Sequence, residues 1–311
     1  MRYILVRDGT RLVLNPLYRA KRYEVGYLIQ GPGLVRIVTS DVEGAISTED
    51  ARYFKTIGCA IDPDCLLFEQ PRLAVAVFDW NCDEELQGLL SNFSEFHGER
   101  GIDVGCGYGR LFLRLSRLGF SLDGIDSSVL AIKHLNASLT SYPNCRAFSC
   151  RIEEFRCPGA YRFGFAAMNT LRYLQTKVAL RTHLSCMADN IKHSGIYMFC
   201  ISIVQDPTRD YSIQWNFFFD NEVHQITWAH SEYCFVREQF VEVVTIRRCS
   251  DLAVIHKEYQ LQANYNSQFL RNLFIEISHE WSLEGVFDLH FVRANSWMDL
   301  EGSFWFKLRK I

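Results

Sequence analysis

Gly105, Gly107 and Gly109 stand at alternate positions in GIDVGCGYGRLFLRL, residues Gly101–Leu115. They follow an apolar run and precede a helical pattern. A glycine loop between a strand and a helix lets a ligand approach the backbone, because no Cβ stands in the way. It also offers the ligand the positive end of the helix. Asp126 closes the next apolar run, SLDGID (Ser121–Asp126). A carboxylate there can accept from both hydroxyls of a vicinal diol at once. Strand, glycine loop, helix, strand and acid together describe a nucleoside-binding site. A second group of reactive side chains lies further on. His224 and His230, in EVHQITWAHS, are evenly spaced and so share one face of a strand. Either could serve as a general base, or as a hydrogen-bonded structural histidine.

The elements that must hold these residues follow from periodicity. The front of the chain is strand-like. YILVRDGTRLVL sets Asp8-Gly9 between two β-rich runs, a hairpin signal, and VGYLIQGPGLVRIV repeats it around Gly31-Pro32-Gly33. RLAVAVF (Arg72–Phe78) reads as another strand, so residues 1–79 are expected to form a β-rich accessory domain. CDEELQGLLSNFSEF (Cys82–Phe96) has the apolar stripe of a helix. From Gly101 the pattern alternates. The strands are Gly101–Val104, Ser121–Asp126, Cys145–Cys150, Phe163–Asn169 and Ile196–Ser202. Between them lie a helix with Leu111, Leu115 and Leu118 on one face, a serine-capped helix Ser127–Leu139, and a helix capped by Thr176 and ended at Gly195. Such alternation implies βαβ units and a parallel sheet. After residue 204 it stops, and four antiparallel strands are expected. A helix, Ser267–Trp281, and two closing strands, Val286–Arg293 and Ser303–Ile311, complete the chain.

A dinucleotide fingerprint needs G-x-G-x-x-G, and Arg110 occupies the place of its third glycine. G-x-G-x-G after an acid is a different pattern. Asp103-Val104-Gly105-Cys106-Gly107-Tyr108-Gly109-Arg110 resembles the first motif of the class I S-adenosylmethionine-dependent methyltransferases. Gly124-Ile125-Asp126-Ser127-Ser128 resembles their second motif, and FGFAAMNTLRYL (Phe163–Leu174) their fourth-strand motif. The resemblance spans residues 80–311. It implies an α/β fold: a Rossmann-like doubly wound sheet with a C-terminal antiparallel hairpin strand. To this are added an antiparallel β insertion after the fifth strand, at 205–265, and the β-rich N-terminal domain.

The resemblance also implies S-adenosylmethionine as cofactor and S-adenosylhomocysteine as product. Asp103 would hold the cofactor's amino group, Gly105, Cys106, Gly107 and Gly109 would pass beneath its methionine part, and Asp126 with Ser127 would hold the ribose. Where members often carry an acid after the third strand, this chain has Arg151. The backbone N–H of Ile152 is left to serve adenine, with Glu153 the remaining carboxylate. Asn169, Arg172 and Tyr173 follow the fourth strand, where methyltransferases commonly place groups facing cofactor and acceptor. Aromatic faces suit a site that handles a sulfonium, so Trp215, Phe217 and Trp228 of the insertion are candidate acceptor-binding residues. His230, His224, Tyr173 and Arg172 are candidate catalytic residues. The expected reaction is methyl transfer to N or O of a small-molecule acceptor, in the setting of specialised metabolism. The alternatives are an RNA or protein methyltransferase that recognises its substrate through the N-terminal domain, a cofactor-binding protein that does not methylate, and a cyclase or isomerase on the same fold.

Composition narrows the alternatives. The 311 residues are 48% hydrophobic and 22% charged, ordinary values for a globular protein. A net charge of -3 and no aromatic–basic stripe argue against a nucleic-acid partner. The charge is uneven: residues 1–40 hold seven Arg and Lys against two acids, and residues 41–100 four against thirteen. The basic stretch NPLYRAKRYE (Asn15–Glu24) could clamp an anionic substrate or form a solvated strand edge. None of the 11 cysteines forms a C-x-x-C pair, so no metal site is expected, and buried thiols fit a reducing compartment. No apolar stretch approaches bilayer length and no signal peptide opens the chain. A cytoplasmic enzyme is expected, as a monomer or a homodimer.

Overall fold

A computed structural model describes residues 4–7, 10–14, 19–23, 26–31, 34–38, 54–59, 67–174, 176–207, 209–234, 238–296 and 301–311. By internal contacts the chain divides into two units, Met1–Gln70 with Thr208–Leu261, and Pro71–Pro207 with Gln262–Ile311.

The first unit opens with β1 (Ile4–Arg7), β2 (Thr10–Leu14), β3 (Arg19–Tyr23), β4 (Gly26–Gly31), β5 (Leu34–Val38) and β6 (Phe54–Cys59). They form two antiparallel sheets, in the orders β1-β2-β6 and β3-β4-β5. Arg7 pairs with Thr10 and Gly31 with Leu34, as expected for hairpins at both positions. The connecting Asp8-Gly9 and Pro32-Gly33 lie outside the described residues. So do Asn15–Tyr18 and Glu24 of the basic stretch, whose middle is β3.

The second unit starts with α1 (Pro71–Phe78) and α2 (Asp83–Phe93). The strand expected at Arg72–Phe78 is therefore a helix. Its buried residues Leu73, Ala74 and Val77 have helical spacing, and Pro71 occupies its first position. A short apolar run with alternating valines fits either period, and packing decided between them. Then follow β7 (Arg100–Val104), α3 (Phe112–Arg117), β8 (Ser121–Asp126), α4 (Val129–Ser138), β9 (Arg146–Ser149), β10 (Tyr161–Ala166), α5 (Lys177–Asn190) and β11 (Ile191–Ile203). Gly195 lies inside β11 rather than ending α5. A Cβ there would come within 2.5 Å of the Arg162 carbonyl oxygen, so close approach of backbone explains this glycine.

Four long strands belong to the first unit: β12 (Ser212–Phe219), β13 (Glu222–Cys234), β14 (Gln239–Arg248) and β15 (Val254–Ala263). They form one antiparallel sheet in sequence order, as expected. The chain closes in the second unit with α6 (Ser267–Glu276), β16 (Trp281–Phe287) and β17 (Gly302–Lys310). The expected helix is thus shorter at its C-terminus, and β16 precedes the strand expected at Val286–Arg293. After Phe287 the chain turns back, bringing Arg293 opposite Phe287.

The second unit's sheet has the order β16-β17-β11-β10-β7-β8-β9. Strands β7 to β11 run parallel, and β17 lies antiparallel between β11 and β16. Both faces are buried. One core holds Val104, Tyr197, Phe199, Ile201 and Phe306 against Leu184 and Met187 of α5 and Leu270 of α6. The other holds Phe163, Phe165, Met198 and Trp305 against Leu89, Phe93, Leu115 and Leu135 of α2 to α4. Helices on both faces make the sheet doubly wound. Asp123 locks three neighbouring strands together: it accepts from Arg100 at 2.8 Å and from the Tyr161 hydroxyl at 3.0 Å. Among the described residues no helix is long and apolar enough to cross a membrane.

Candidate functional site

The loop after β7 lies at the C-terminal ends of the parallel strands, where open α/β sheets bind ligands. Its three glycines have positive φ: 72° at Gly105, 50° at Gly107 and 91° at Gly109. Each excludes a side chain for a different reason. A Cβ at Gly105 would lie 2.3 Å from Thr170 Cγ2, and one at Gly109 would lie 2.6 Å from Leu135 Cδ1. A Cβ at Gly107 would meet nothing within 4 Å. Only Gly107 faces open space, while its neighbours let the loop settle onto the post-β10 turn and onto α4. The N–H groups are largely committed inside the loop. Gly105 and Cys106 donate to the Ile125 carbonyl at 2.7 and 3.0 Å, and Gly107 donates to Asp126 Oδ2 at 3.0 Å. Since α3 has six residues, helix polarity adds little.

Two carboxylates flank this opening. Asp126 also accepts from the Ser128 N–H, at 2.8 Å through Oδ1, so two backbone donors fix both its oxygens. Burial pushes its pKa up, and the N–H groups of Ser128, Gly107 and Ser127 pull the other way. A carboxylate has about four acceptor sites, so capacity remains for a ligand hydroxyl. Asp103 is 3% exposed. Burial lifts its carboxyl well above the usual carboxylate range, Arg110 opposes the lift, and the charges of Asp126 and Glu85 add to it. No donor among the described residues hydrogen-bonds it. Arg110 is held instead by Glu85 at 2.6 Å, with its guanidinium over the Trp80 ring at 5.4 Å. Asp103 is thus a buried acceptor that a ligand ammonium would satisfy, beside open space at Gly107 and a fixed diol acceptor at Asp126.

No family model matches the sequence, and no curated protein matches it. Solved structures do match the fold. An S-adenosylmethionine-dependent methyltransferase from Clostridium acetobutylicum superposes with a TM-score of 0.59 at 11% identity, covering 74% of this chain and 92% of its own. The CcbJ methyltransferase of Streptomyces caelestis gives 0.57 at 15% identity, over 76% of this chain and 95% of its own. CalS10 of Micromonospora echinaspora, an amino pentose methyltransferase involved in calicheamicin biosynthesis, gives 0.57 at 12% identity, over 75% and 93%. The fold is that of the S-adenosylmethionine-dependent methyltransferases. The glycine loop follows β7 and Asp126 ends β8, the strands on which the sequence motifs were read.

Within the methyltransferase fold, the other sequence-derived residues fall into place as follows. Cys106 is buried, and burial followed by the Asp103 and Asp126 charges raises its thiol pKa well above normal, which makes it a packing residue rather than a nucleophile. Ser127 is exposed, next to Asp126. Ile152 is half-buried after β9, and its carbonyl accepts from His183 Nδ1 at 3.0 Å. Arg151 is exposed and pairs with Glu153 and Glu154, so Glu153 is engaged. Burial opposes ionisation of Glu153, yet Arg151 brings its pKa below normal. Asn169 is left-handed at φ 61°, and its side chain donates to Ser202 Oγ at 2.8 Å and accepts from Ser202 N at 2.6 Å. Arg172 is buried and donates to the Ala263 carbonyl at 2.9 Å, whereas Tyr173 is exposed.

The remaining candidates belong to the sheet β12–β15 of the first unit. His224, Ile226, Trp228 and His230 alternate along β13 and share a face. Phe217 pairs with His224 and Trp215 with Ile226 across to β12. His224 is buried, stacks on Phe217 and contacts the Glu222 carbonyl through Nδ1 at 3.2 Å. His230 Nε2 meets Glu242 Oε1 at 3.2 Å, and its ring stacks on Phe240 at 4.1 Å. The Trp228 indole N–H donates to the other oxygen of Glu242. His230 Nδ1 is buried with no hydrogen-bond partner among the described residues. Glu242 escaped sequence inspection, although a signal existed: it is an acid on the apolar face of FVEVVTIRR, between Phe240 and Val244. His183 and Thr170 were missed as well. His183 interrupts the apolar stripe of α5, whereas nothing in the sequence ties Thr170 to Gly105.

Proposed function

We propose that the chain is an S-adenosylmethionine-dependent methyltransferase that transfers a methyl group to N or O of a small-molecule acceptor, with S-adenosylhomocysteine as product. The observation that carries this reading is the buried Asp103 carboxylate, without a hydrogen-bond donor among the described residues, at a glycine loop that opens only at Gly107. Bound there, the cofactor supplies an electrophilic methyl group on a sulfonium. Asp103 takes the ammonium end. Gly105, Cys106, Gly107 and Gly109 form the floor, Asp126 and Ser127 take the ribose hydroxyls, the Ile152 N–H reads adenine, and Asn169 holds the post-β10 turn closed toward Ser202.

Among the candidate bases, His230 has the best support. Glu242 engages Nε2 and so favours the tautomer with its proton there, leaving Nδ1 as an acceptor. His224 lacks a carboxylate partner among the described residues. Arg172 is a positioning residue for the Ala263 segment, and exposed Tyr173 remains a candidate contact for the acceptor. Trp215, Phe217 and Trp228 would offer aromatic surface to it. CalS10 is described as acting on an amino pentose, which favours an amine-bearing acceptor. The unit Pro71–Pro207 with Gln262–Ile311 is proposed as the cofactor-binding part, in place of the expected 80–311, and the unit Met1–Gln70 with Thr208–Leu261 as the accessory part, in a soluble cytoplasmic protein.

Incubation with S-adenosylmethionine and a panel of amino sugars, amines and phenols tests this. Mass spectrometry should find one acceptor heavier by one methyl group, with S-adenosylhomocysteine formed in step. Cofactor binding without product from any acceptor class, macromolecules included, would leave a binding protein and overturn the transferase reading.

A further inference from the structure

The inner face of α5 holds the loop between β9 and β10 by its backbone. His183 Nδ1 donates to the Ile152 carbonyl at 3.0 Å, and Cys186 Sγ donates to the Glu153 carbonyl at 3.4 Å. Asn190 Nδ2 donates to the Phe155 carbonyl at 3.1 Å, and its Oδ1 accepts from the Cys157 N–H at 2.6 Å. The Gly159 N–H donates to the Asp189 carbonyl at 2.8 Å. Positions 183, 186 and 190 are three and then four apart, the spacing of one helical face. His183 and Asn190 are fully buried, each at 0% exposure. His183 is fixed from behind as well, since its Nε2 accepts from the Tyr197 hydroxyl at 2.8 Å. A helix core that spends a histidine, a thiol and an amide on successive backbone groups of one loop sets that loop's conformation.

Building on the methyltransferase reading above, we infer that His183, Cys186 and Asn190 are positioning residues for base recognition: they orient the Ile152–Cys157 backbone so that the Ile152 N–H reads the nucleobase without a side-chain carboxylate. Arg151 stands where an acid would serve, and Glu153 is engaged by Arg151. Backbone recognition therefore has to supply the discrimination. A backbone N–H favours a ring nitrogen that accepts, as N1 of adenine does, and repels one that carries hydrogen, as N1 of hypoxanthine does. The loop must be held still for that difference to be felt, and burial of His183 keeps it neutral, with Nδ1 donating and Nε2 accepting.

The test is equilibrium binding of S-adenosylhomocysteine and of S-inosylhomocysteine, read as the ratio of the two affinities. The wild type is expected to prefer the adenine compound by about tenfold or more. His183→Phe, which keeps a ring and removes the donor, should lose most of that preference. His183→Asn, which restores a donor near Nδ1, should recover it. A general loss of folded protein would lower both affinities together and leave the ratio alone. If the phenylalanine variant does not fold, Cys186→Ala is read in the same way and should erode the preference about twofold. An unchanged ratio in the foldable variants, or a wild type indifferent to the base, would overturn the inference. A wild type that binds neither compound would instead sink the methyltransferase reading.

Discussion

At the scale of single residues, Asp103 is the group whose state matters most. Its carboxyl is held well above the usual range by burial first, with Asp126 and Glu85 adding and Arg110 opposing. A carboxyl with a raised folded pKa destabilises the fold as pH rises past the unfolded value, because the folded state prefers the proton. Asp103→Asn should therefore raise Tm at neutral pH while weakening S-adenosylhomocysteine binding about tenfold or more, the loss of a charge-assisted hydrogen bond. Wild-type affinity should also fall as acid protonates Asp103, and the Asn variant should show a flatter profile. Scanning calorimetry and titration at several pH values check both. A variant that is destabilised and binds normally would show that Asp103 is a structural acid. Asp103 and Asp126 were legible in the sequence because each ends a strand next to glycines. His183 was not, because its partners are the Ile152 carbonyl, 31 positions back, and the Tyr197 hydroxyl, 14 positions on, which no local pattern encodes. Arg172 was legible as a polar residue after β10, but its turn toward the Ala263 carbonyl depends on tertiary packing.

At the scale of elements, the glycine loop and α5 carry separate consequences. Gly109 has φ of 91° and sits against Leu135, whereas Gly107, at 50°, borders open space. Gly109→Ala should cost about 1–3 kcal/mol of stability through strain and overpacking. Gly107→Ala should cost about 1 kcal/mol but reduce cofactor affinity disproportionately. Denaturant melts beside binding curves separate the two, and equal losses in both quantities would argue against the assignment of Gly107 to the ligand side. The alternating glycines were visible from the start, yet their three distinct reasons were not, because Thr170 and Leu135 are remote in sequence.

For α5, burial pushes the His183 pKa down from 6.5 to about 4, partly offset by its hydrogen bond to Ile152. Stability is then full above the unfolded value of 6.5 and declines as pH falls toward about 4. That interval is worth about 3 kcal/mol. His183→Asn removes this proton, so the difference in unfolding free energy between wild type and variant should shrink in acid by that order. A difference independent of pH would mean that His183 is solvated and keeps its ordinary pKa.

At the scale of the whole molecule, alternation of strand and helix from Gly101 onward was enough to anticipate the parallel sheet, and the motif resemblance added that it is doubly wound. β17 shows where that logic reaches its limit. Phe304, Phe306 and Leu308 alternate with Trp305 along the strand, and the structure buries both sets because β17 lies inside the sheet, between β11 and β16. The start of β16 at Trp281 was missed because the helical pattern from Ser267 was carried through to that residue, whereas α6 ends at Glu276. Arg72–Phe78 was misassigned because seven residues are too few for a period to declare itself. What the fold does place without ambiguity is a glycine loop and two acids at the carboxyl ends of its central strands.

The central claim is that this arrangement binds S-adenosylmethionine and its product, and calorimetric titration of S-adenosylhomocysteine into wild type and Asp126→Ala tests it most directly. Micromolar binding, about -8 kcal/mol, that collapses in the folded variant is the predicted result. A well-folded wild type that takes up no S-adenosylhomocysteine would contradict it.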